Sequence, residues 1–499
     1  MQRKSEDICV DQINNTKYSL IFIGLLVLGI LLAFVPLLFQ VTPNKIGVPG
    51  SEARKFYTNP TVPNELRIYL FNLTNKDEVT KGAKPMLEEI GPYVFEEWME
   101  KFDITDNDDD DTVEFNMKRT FIFRSDLSNG LTGNEKLTTI HALIMGMALN
   151  INVNRKPMLK LVSQAVNAIF HQPTDPFWTG RVFDYLFDGI EIDCTSEEFA
   201  AKATCAILGT VKTIQRLREG FYKFSVFGAL NATGVGVYKV DRGIKNVDNV
   251  GRIVSFNKKM EMSTWDGECN RYRGTDSTIF PSGINKSDGL WIYEPELCMS
   301  LGARFDSVSK YKDVPTIRFG FDFGDVTKNH ELQCYCSDLP IGCPRQGTIN
   351  LFDCLDVPVV ISLPHFYNAD PLLLTESQSG LHPNEIKHSS YMEYEPITGS
   401  VVNAARRIQF NLQVVPVDDV ECMKQLPAVV MPLFWLEQLI THDKNDFVPL
   451  MLQYQRLRVF LQILQWIAIV IGAIGIIYLL YNKHMRNTTL QERQTKDTD

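Results

Sequence analysis

Histidine is scarce, with 8 residues in a chain of 499, and the usual signatures of hydrolytic and phosphoryl chemistry are missing. There is no G-x-S-x-G elbow, no H-E-x-x-H pair and no Walker loop. Ser307-Val-Ser-Lys310 fits S-x-x-K but lacks the companions of that motif, and Gly234-Val-Gly236 lacks its third glycine. Charge is thin: 22% of residues are Asp, Glu, Lys or Arg, and the net is −10. That balance excludes a general grip on nucleic acid. No two cysteines stand as C-x₂-C; the short spacings are C-x-C and C-x₆-C, which match no zinc ribbon or finger. Repeats, low-complexity blocks and a dividing linker are also lacking. These absences point to a chain with no catalytic residues, no metal and no cofactor.

What is abundant is apolar sequence, at 44% of the residues. Tyr18 to Phe39 reads YSLIFIGLLVLGILLAFVPLLF without a charge. At about 1.5 Å per residue it spans roughly 33 Å, enough to cross a bilayer core. A second uncharged run, Val459 to Tyr481, ends against Lys483 and Arg486. The first run is too long for a cleaved signal, and its exit, Gln40-Val41-Thr42, has no Ala-x-Ala site. The expected organisation is a tail at 1–17, a span at 18–40, one large domain at 41–458, a span at 459–481 and a tail at 482–499. Flanking charge orients it weakly, because Arg3, Lys4 and Lys17 are offset by Glu6, Asp7 and Asp11. Three N-glycosylation sequons, at Asn72, Asn231 and Asn285, all fall between the spans and place that domain outside. Both termini are then cytoplasmic, and the sequons at Asn14 and Asn487 stay bare. Cys9, near the membrane, is a candidate for palmitoylation as well as a plain thiol.

Six of the ten cysteines crowd between Cys269 and Cys354: these two with Cys298, Cys334, Cys336 and Cys343. Beside sequons, such a cluster reads as a disulfide framework with fifteen possible pairings. Cys334 and Cys336, on a strand, share a face and reach different partners. Cys194 and Cys205 are a candidate fourth bridge, and Cys422 has no evident partner.

Strand-like runs cover Leu66–Phe71, Tyr93–Trp98, Val113–Phe123, Phe224–Val240, Val250–Phe256, Thr316–Phe323, Thr348–Leu355, Val357–Leu363 and Arg407–Val415. Asp103 to Asp111 is acidic, but Asp111 stands where an EF-hand needs glycine. A solvated hairpin tip is the simpler reading beside a weak cation site. Thr138 to Phe187 has helical spacing: Ile140, Leu143, Ile144 and Met147; then Met158 to Phe170 after Pro157; then Trp178 to Phe187 after Asp175-Pro176. Either these helices bury their own core, or they form an apolar cap that receives a lipid-like ligand. Met431–Ile440 and Val448–Arg458 read as helix leading into the second span. His365 has no nucleophile partner and reads as structural.

Several motifs carry a resemblance. Gly91-Pro-Tyr-Val-Phe95, Gly274-Thr-Asp-Ser-Thr-Ile-Phe-Pro281, Ser362-Leu-Pro-His-Phe366, Glu395-Pro-Ile-Thr-Gly399 and Arg407-Ile-Gln-Phe-Asn-Leu-Gln413, with the cysteine stretch, resemble the class B scavenger receptor (fatty acid translocase) family over nearly the whole chain. Lys81-Gly-Ala-Lys-Pro85, Leu131-Thr-Gly133 and Glu331-Leu-Gln-Cys-Tyr-Cys-Ser337 make it most similar to the insect sensory neuron membrane proteins, a branch of that family. The resemblance implies the pairs Cys269–Cys334, Cys298–Cys354 and Cys336–Cys343. It implies an α+β membrane protein in which two transmembrane helices flank a large antiparallel β-barrel-like ectodomain. A helical cap at about 138–188 and an apolar tunnel complete that fold. It also implies a lipidic ligand, a fatty-acid-derived pheromone or odorant, received near Phe170, His171, Trp178 and Lys160. The ligand passes through the tunnel to the membrane or to an odorant receptor complex, with odorant-binding proteins as further partners. The expected place is the plasma membrane of a sensory neuron dendrite or a support cell; a general scavenger of fatty acids or lipoproteins elsewhere is the alternative. Translocases of the family carry a lysine near the cap entrance. The turn Phe170-His-Gln-Pro-Thr-Asp175 has none, which favours esters, aldehydes or alcohols over a clamped carboxylate.

Overall fold

The computed structural model describes residues 16–34, 49–336, 342–441 and 447–496. They divide into two compact units, one holding the terminal stretches with 312–314 and the other holding most of the chain between them. The first unit contains two apolar helices, Thr16–Phe34 (α1) and Phe447–Lys496. Leu20, Ile21, Leu31, Trp466, Ile474 and Leu480 leave their side chains bare along these helices, a surface suited to lipid rather than water. The C-terminal helix runs unbroken through both expected boundaries of the second span. Residues 1–15, with Cys9, and residues 35–48 lie outside the described part.

The second unit is built on antiparallel strands. In chain order they are β1 (Asn64–Leu73), β2 (Leu87–Asn107), β3 (Thr112–Phe123), β4 (Lys136–Ile140), β5 (Phe177–Arg181), β6 (Ile190–Asp193), β7 (Ile214–Arg218), β8 (Phe221–Phe224), β9 (Thr233–Asp241) and β10 (Ile253–Phe256). They continue with β11 (Leu290–Glu294), β12 (Met299–Tyr311), β13 (Val314–Phe321), β14 (Thr348–Asn350), β15 (Val359–Ser362), β16 (Ser390–Glu395), β17 (Ser400–Val414) and β18 (Val429–Thr441). Thirteen of them form one sheet, ordered β10-β9-β3-β2-β1-β18-β17-β16-β13-β12-β11, with β15 also on β17 and β14 on β15.

That sheet curls until its two edges nearly meet. The backbone at Gly274 and Thr275 joins them: Ile253 N donates to Gly274 O at 3.0 Å, Thr275 N to Trp291 O at 3.1 Å, and Tyr293 N to Thr275 O at 2.9 Å. Gly274 sits at φ +81°, and a Cβ there would stand 1.8 Å from Trp291 O. Only glycine lets the seam close. The rings of Phe256 on β10 and Tyr293 on β11 meet across it at 5.3 Å.

The strand runs expected from sequence lie on this sheet, with differences; of Phe224–Val240 only 233–240 does, because Phe224 ends β8 in a separate sheet with β6 and β7 and 225–232 is turn. Met431–Ile440 is not helical; it is β18, a strand inside the sheet between β1 and β17. Its two faces are both covered, so it reads as a continuous apolar run whose period is uninformative. Residues 352–355 turn into a short helix after β14. Cys334 and Cys336 end a 3₁₀ turn, His330–Tyr335, not a strand. The acidic tract is the β2–β3 hairpin tip, and basic groups neutralise it. Arg242 reaches Asp106, Asp108 and Asp111, Arg54 reaches Asp106, and Lys239 reaches Asp110.

Over one end lies the cap. Helices Ala142–Asn154 (α4) and Leu159–Ile169 (α5) are where helical spacing placed them. (Two shorter helices, α2 at Glu52–Thr58 and α3 at Lys76–Val79, precede them.) The third expected helix holds only in its second half: Phe177–Arg181 is β5, paired with β4. Ile140 accordingly ends a strand instead of starting a helix, and 182–188 is helical after β5. The third true helix, α6 (Phe199–Leu208), comes later and packs on α5.

Candidate functional site

Between the cap and the wall of the barrel lies a cluster of phenylalanines. Alternation along each strand aims every second side chain inward. On β3 these are Phe115, Met117, Arg119, Phe121 and Phe123; on β2 they are Tyr93, Phe95, Glu97, Met99 and Lys101. Phe95 meets Phe123 at 5.3 Å and Phe187 at 4.9 Å, and Phe187 meets Phe227 at 5.8 Å. Phe227 continues to Phe434, and Phe434 to Phe410, so one chain of rings links β2, β3, the cap and β17–β18. Phe121, Phe123, Phe183, Phe187 and Phe410 are only half-buried although they pack on this core. Half-exposed rings inside a wall are unlike the closed core of a soluble bundle. Gly133, at φ +85°, makes room for one of them: a Cβ there would stand 2.2 Å from the Phe183 ring.

Deeper along the same inward faces the character changes. Arg119 on β3, Glu97 on β2, Gln438 on β18 and Arg406 on β17 follow the aromatic layer, joined by Glu294 and Glu296. Glu294 holds Arg119 at 3.2 Å and Arg406 at 3.4 Å, one on each oxygen. Burial raises the Glu296 carboxyl above its ordinary range, and Arg119 only partly offsets that. Burial also opposes the charge of Arg119, but Glu296, Glu294 and Glu97 more than compensate and hold its pKa high. For Arg406 burial wins and the pKa falls. Beyond this layer a second apolar cluster begins, with Met99, Phe115, Met117, Tyr238 and Tyr293.

The sequence of this chain matches the CD36 family profile over residues 19–482. Similar proteins include Sensory neuron membrane protein 1 of Aedes aegypti, 44% identical over 89% of this chain and 82% of that one. The same-named protein of Anopheles gambiae is 40% identical over 97% and 92%, and that of Apis mellifera 38% over 84% and 81%. The chain belongs to the CD36 family. With its two apolar helices, it is a two-span membrane protein of the class B scavenger receptor type.

Within this CD36-family fold, the four candidate entrance residues divide. Phe170 and Trp178 belong to the apolar cluster, Phe170 against the His141 ring at 4.7 Å and Trp178 against Tyr185 at 5.8 Å. His171 and Lys160 face solvent; His171 Nε2 stands 3.5 Å from Asp193. Sequence reasoning missed His141 and the charged layer. Neither has a local signal, because strands far apart in sequence assemble them.

Among the described residues there are four disulfides: Cys194–Cys205, Cys269–Cys334, Cys298–Cys354 and Cys336–Cys343. Cys422 is a free, buried thiol, pushed up to about 11 by burial. Asn285 is exposed, whereas Asn72 and Asn231 are half-buried and accept backbone hydrogen bonds from Thr138 and Phe121. Two surface clefts lie away from the cap, one beside Cys269 and Arg273 and one beside Asn249 and Asn285.

The remaining shared motifs serve structure. Glu395 caps its own turn, accepting from Thr398 N at 2.7 Å and Ile397 N at 3.1 Å. His365 bonds Glu89 at 2.7 Å, accepts from His382 N at 3.1 Å and stacks on His388 at 4.2 Å. Burial, then the neighbouring His365, pushes His388 down to about 3 against the pull of Glu89; Arg407 and Lys387 add to the fall. Burial takes His141 down to about 4. Both imidazoles are thus neutral in the folded state and bind protons below about pH 6.5 once unfolded. Their contribution to stability is full above that pH and is lost as pH falls towards 4. Each histidine lowers stability by up to about 1.4 kcal/mol per pH unit in that window. A thermal midpoint measured at pH 7 and pH 5 should fall, and His388→Gln should flatten the slope. A midpoint equal at both values would refute the buried neutral pair.

Proposed function

We propose that this chain is a receptor that binds a lipid-derived odorant or pheromone under its cap and passes it to the membrane or to an odorant receptor complex. The half-exposed phenylalanine cluster carries this reading. A continuous tunnel through the barrel would spare an acyl chain a water crossing worth about 0.8 kcal/mol per CH₂. The names of the relatives support a sensory role. The sequons at Asn72, Asn231 and Asn285 support a domain outside the cell, with both termini cytoplasmic. Binding and transfer, not turnover, is the activity we assign.

The test uses the full chain in phosphatidylcholine nanodiscs, titrated with fluorescent long-chain ester, aldehyde and free acid. Saturable binding is expected. Phe187→Ser removes a ring that touches Phe95, Phe121, Phe183 and Phe227, and should weaken binding about tenfold or more. Undiminished binding in that variant would move the ligand away from the phenylalanine cluster. No binding of any probe to the wild type would leave a docking or scavenging role.

A further inference from the structure

The layer of charge between the two apolar clusters does not merely line the barrel. Arg119 lies on β3 and Arg406 on β17, four places apart in the sheet order. At about 4.8 Å per strand, that is roughly 19 Å along the wall. Both guanidiniums nevertheless grip the same carboxylate, that of Glu294, whose strand lies at the other edge of the sheet. This strut crosses the inside of the barrel between the two apolar clusters.

The strut is also chemically incomplete. Arg119 Nε, Tyr238 Oη and Glu296 Oε2 are buried with no hydrogen-bond partner. Glu296 Oε1 stands 3.3 Å from Arg119 Nη1, so two of these groups are adjacent. Nε and Oη are donors, and neither has an acceptor. Donors without acceptors suit an oxygen atom. The charge sum is against a carboxylate. Two guanidiniums face three carboxyl groups, counting Glu97, so a further anion meets net repulsion in a medium that screens poorly.

We propose that the Arg119–Glu294–Arg406 strut, with Glu296 and Tyr238 beside it, is a head-group site inside the barrel. It takes the neutral oxygen of a long-chain ester, aldehyde or alcohol and turns away a carboxylate. The inference rests on the lipid-binding reading above and names the residues that choose among lipids. The acyl chain lies in the phenylalanine layer, and its polar end stops at the strut.

The experiment uses the full chain in phosphatidylcholine nanodiscs with two diazirine-bearing probes, hexadecyl acetate and hexadecanoic acid. Labelled peptides are read by mass spectrometry. In the wild type the acetate should label 115–123 and 290–297 about tenfold or more over the acid. Glu294→Gln removes one negative charge and frees both arginines, so the acid should gain about tenfold relative to the acetate. Glu296→Gln keeps the shape at a half-buried position and should shift the ratio the same way by about threefold, should Glu294→Gln fail to fold. An unchanged ratio in a folded Glu296→Gln variant overturns the site. So does acetate labelling confined to the cap. Failure of both probes on the wild type instead removes the lipid-binding reading itself.

Discussion

Asp276→Ala should destabilise the barrel by about 3–5 kcal/mol, the range for removing one partner of a buried ion pair. Lys101 and Asp276 lie 3.0 Å apart, with 1% and 0% of their side chains exposed. Around them, Tyr57 Oη donates to Asp276 at 3.0 Å, and Thr278 Oγ1 donates to it at 2.7 Å. Lys101 also donates to Tyr57 O at 2.9 Å and sits 3.3 Å above the Tyr57 ring. Burial lowers the Lys101 pKa to about 8 despite the pull of Asp276, so desolvation outweighs the attraction. Truncating Asp276 therefore leaves an ammonium with no counter-charge in that apolar surround. Tyr57, on α2, loses its anchor to the inside of the barrel at the same time. Lys101→Met alone should also destabilise, while the double variant should recover most of the loss. Thermal unfolding of the purified full chain, followed by tryptophan fluorescence, gives the cycle. Additive losses would mean that the pair is not coupled.

The second large effect concerns Cys298–Cys354. The bridge ties residues 56 positions apart, from the turn after β11 to the helix after β14. The chain-entropy relation puts such a loop at about 4 kcal/mol. Replacing both cysteines by serine should lower stability by about 2–5 kcal/mol, seen as a fall in the thermal midpoint. The Cys336–Cys343 bridge spans only 7 positions and should matter less. Equal midpoints for the Cys298/Cys354 double serine variant and the wild type would show that the reduced chain is already restrained by the sheet.

The two predictions draw on different levels of information. The cysteine stretch is visible in sequence, and resemblance, not spacing, chose among its fifteen pairings. The Lys101–Asp276 pair is invisible there, because its members are far apart and each looks like an ordinary surface charge. The same contrast runs through the cap. The periodicity of Met158–Phe170 is local and identified α5. Trp178–Phe187 has apolar residues at similar spacing, yet pairing with β4 turned its first part into β5. A strand's partner supplies hydrogen bonds that no local pattern announces. The helix expected over Met431–Ile440 failed for the related reason that a strand covered on both faces has no alternation to read.

By itself, then, the sequence determined the features that local chemistry sets. Two uncharged apolar runs have to avoid water, so they fix the spans. Clustered cysteines mark the stretch of the large domain that disulfides staple. Alternating runs fix its β character, and family motifs fix its type. The tertiary structure alone decided the features that depend on closure. Once the seam at Gly274 joins the edges of the sheet, side chains from β2, β3, β11, β17 and β18 share one interior. The phenylalanine cluster and the Arg119–Glu294–Arg406 strut exist only there. Strand alternation sends a side chain inward, but the curl of the whole sheet decides which inward side chains meet.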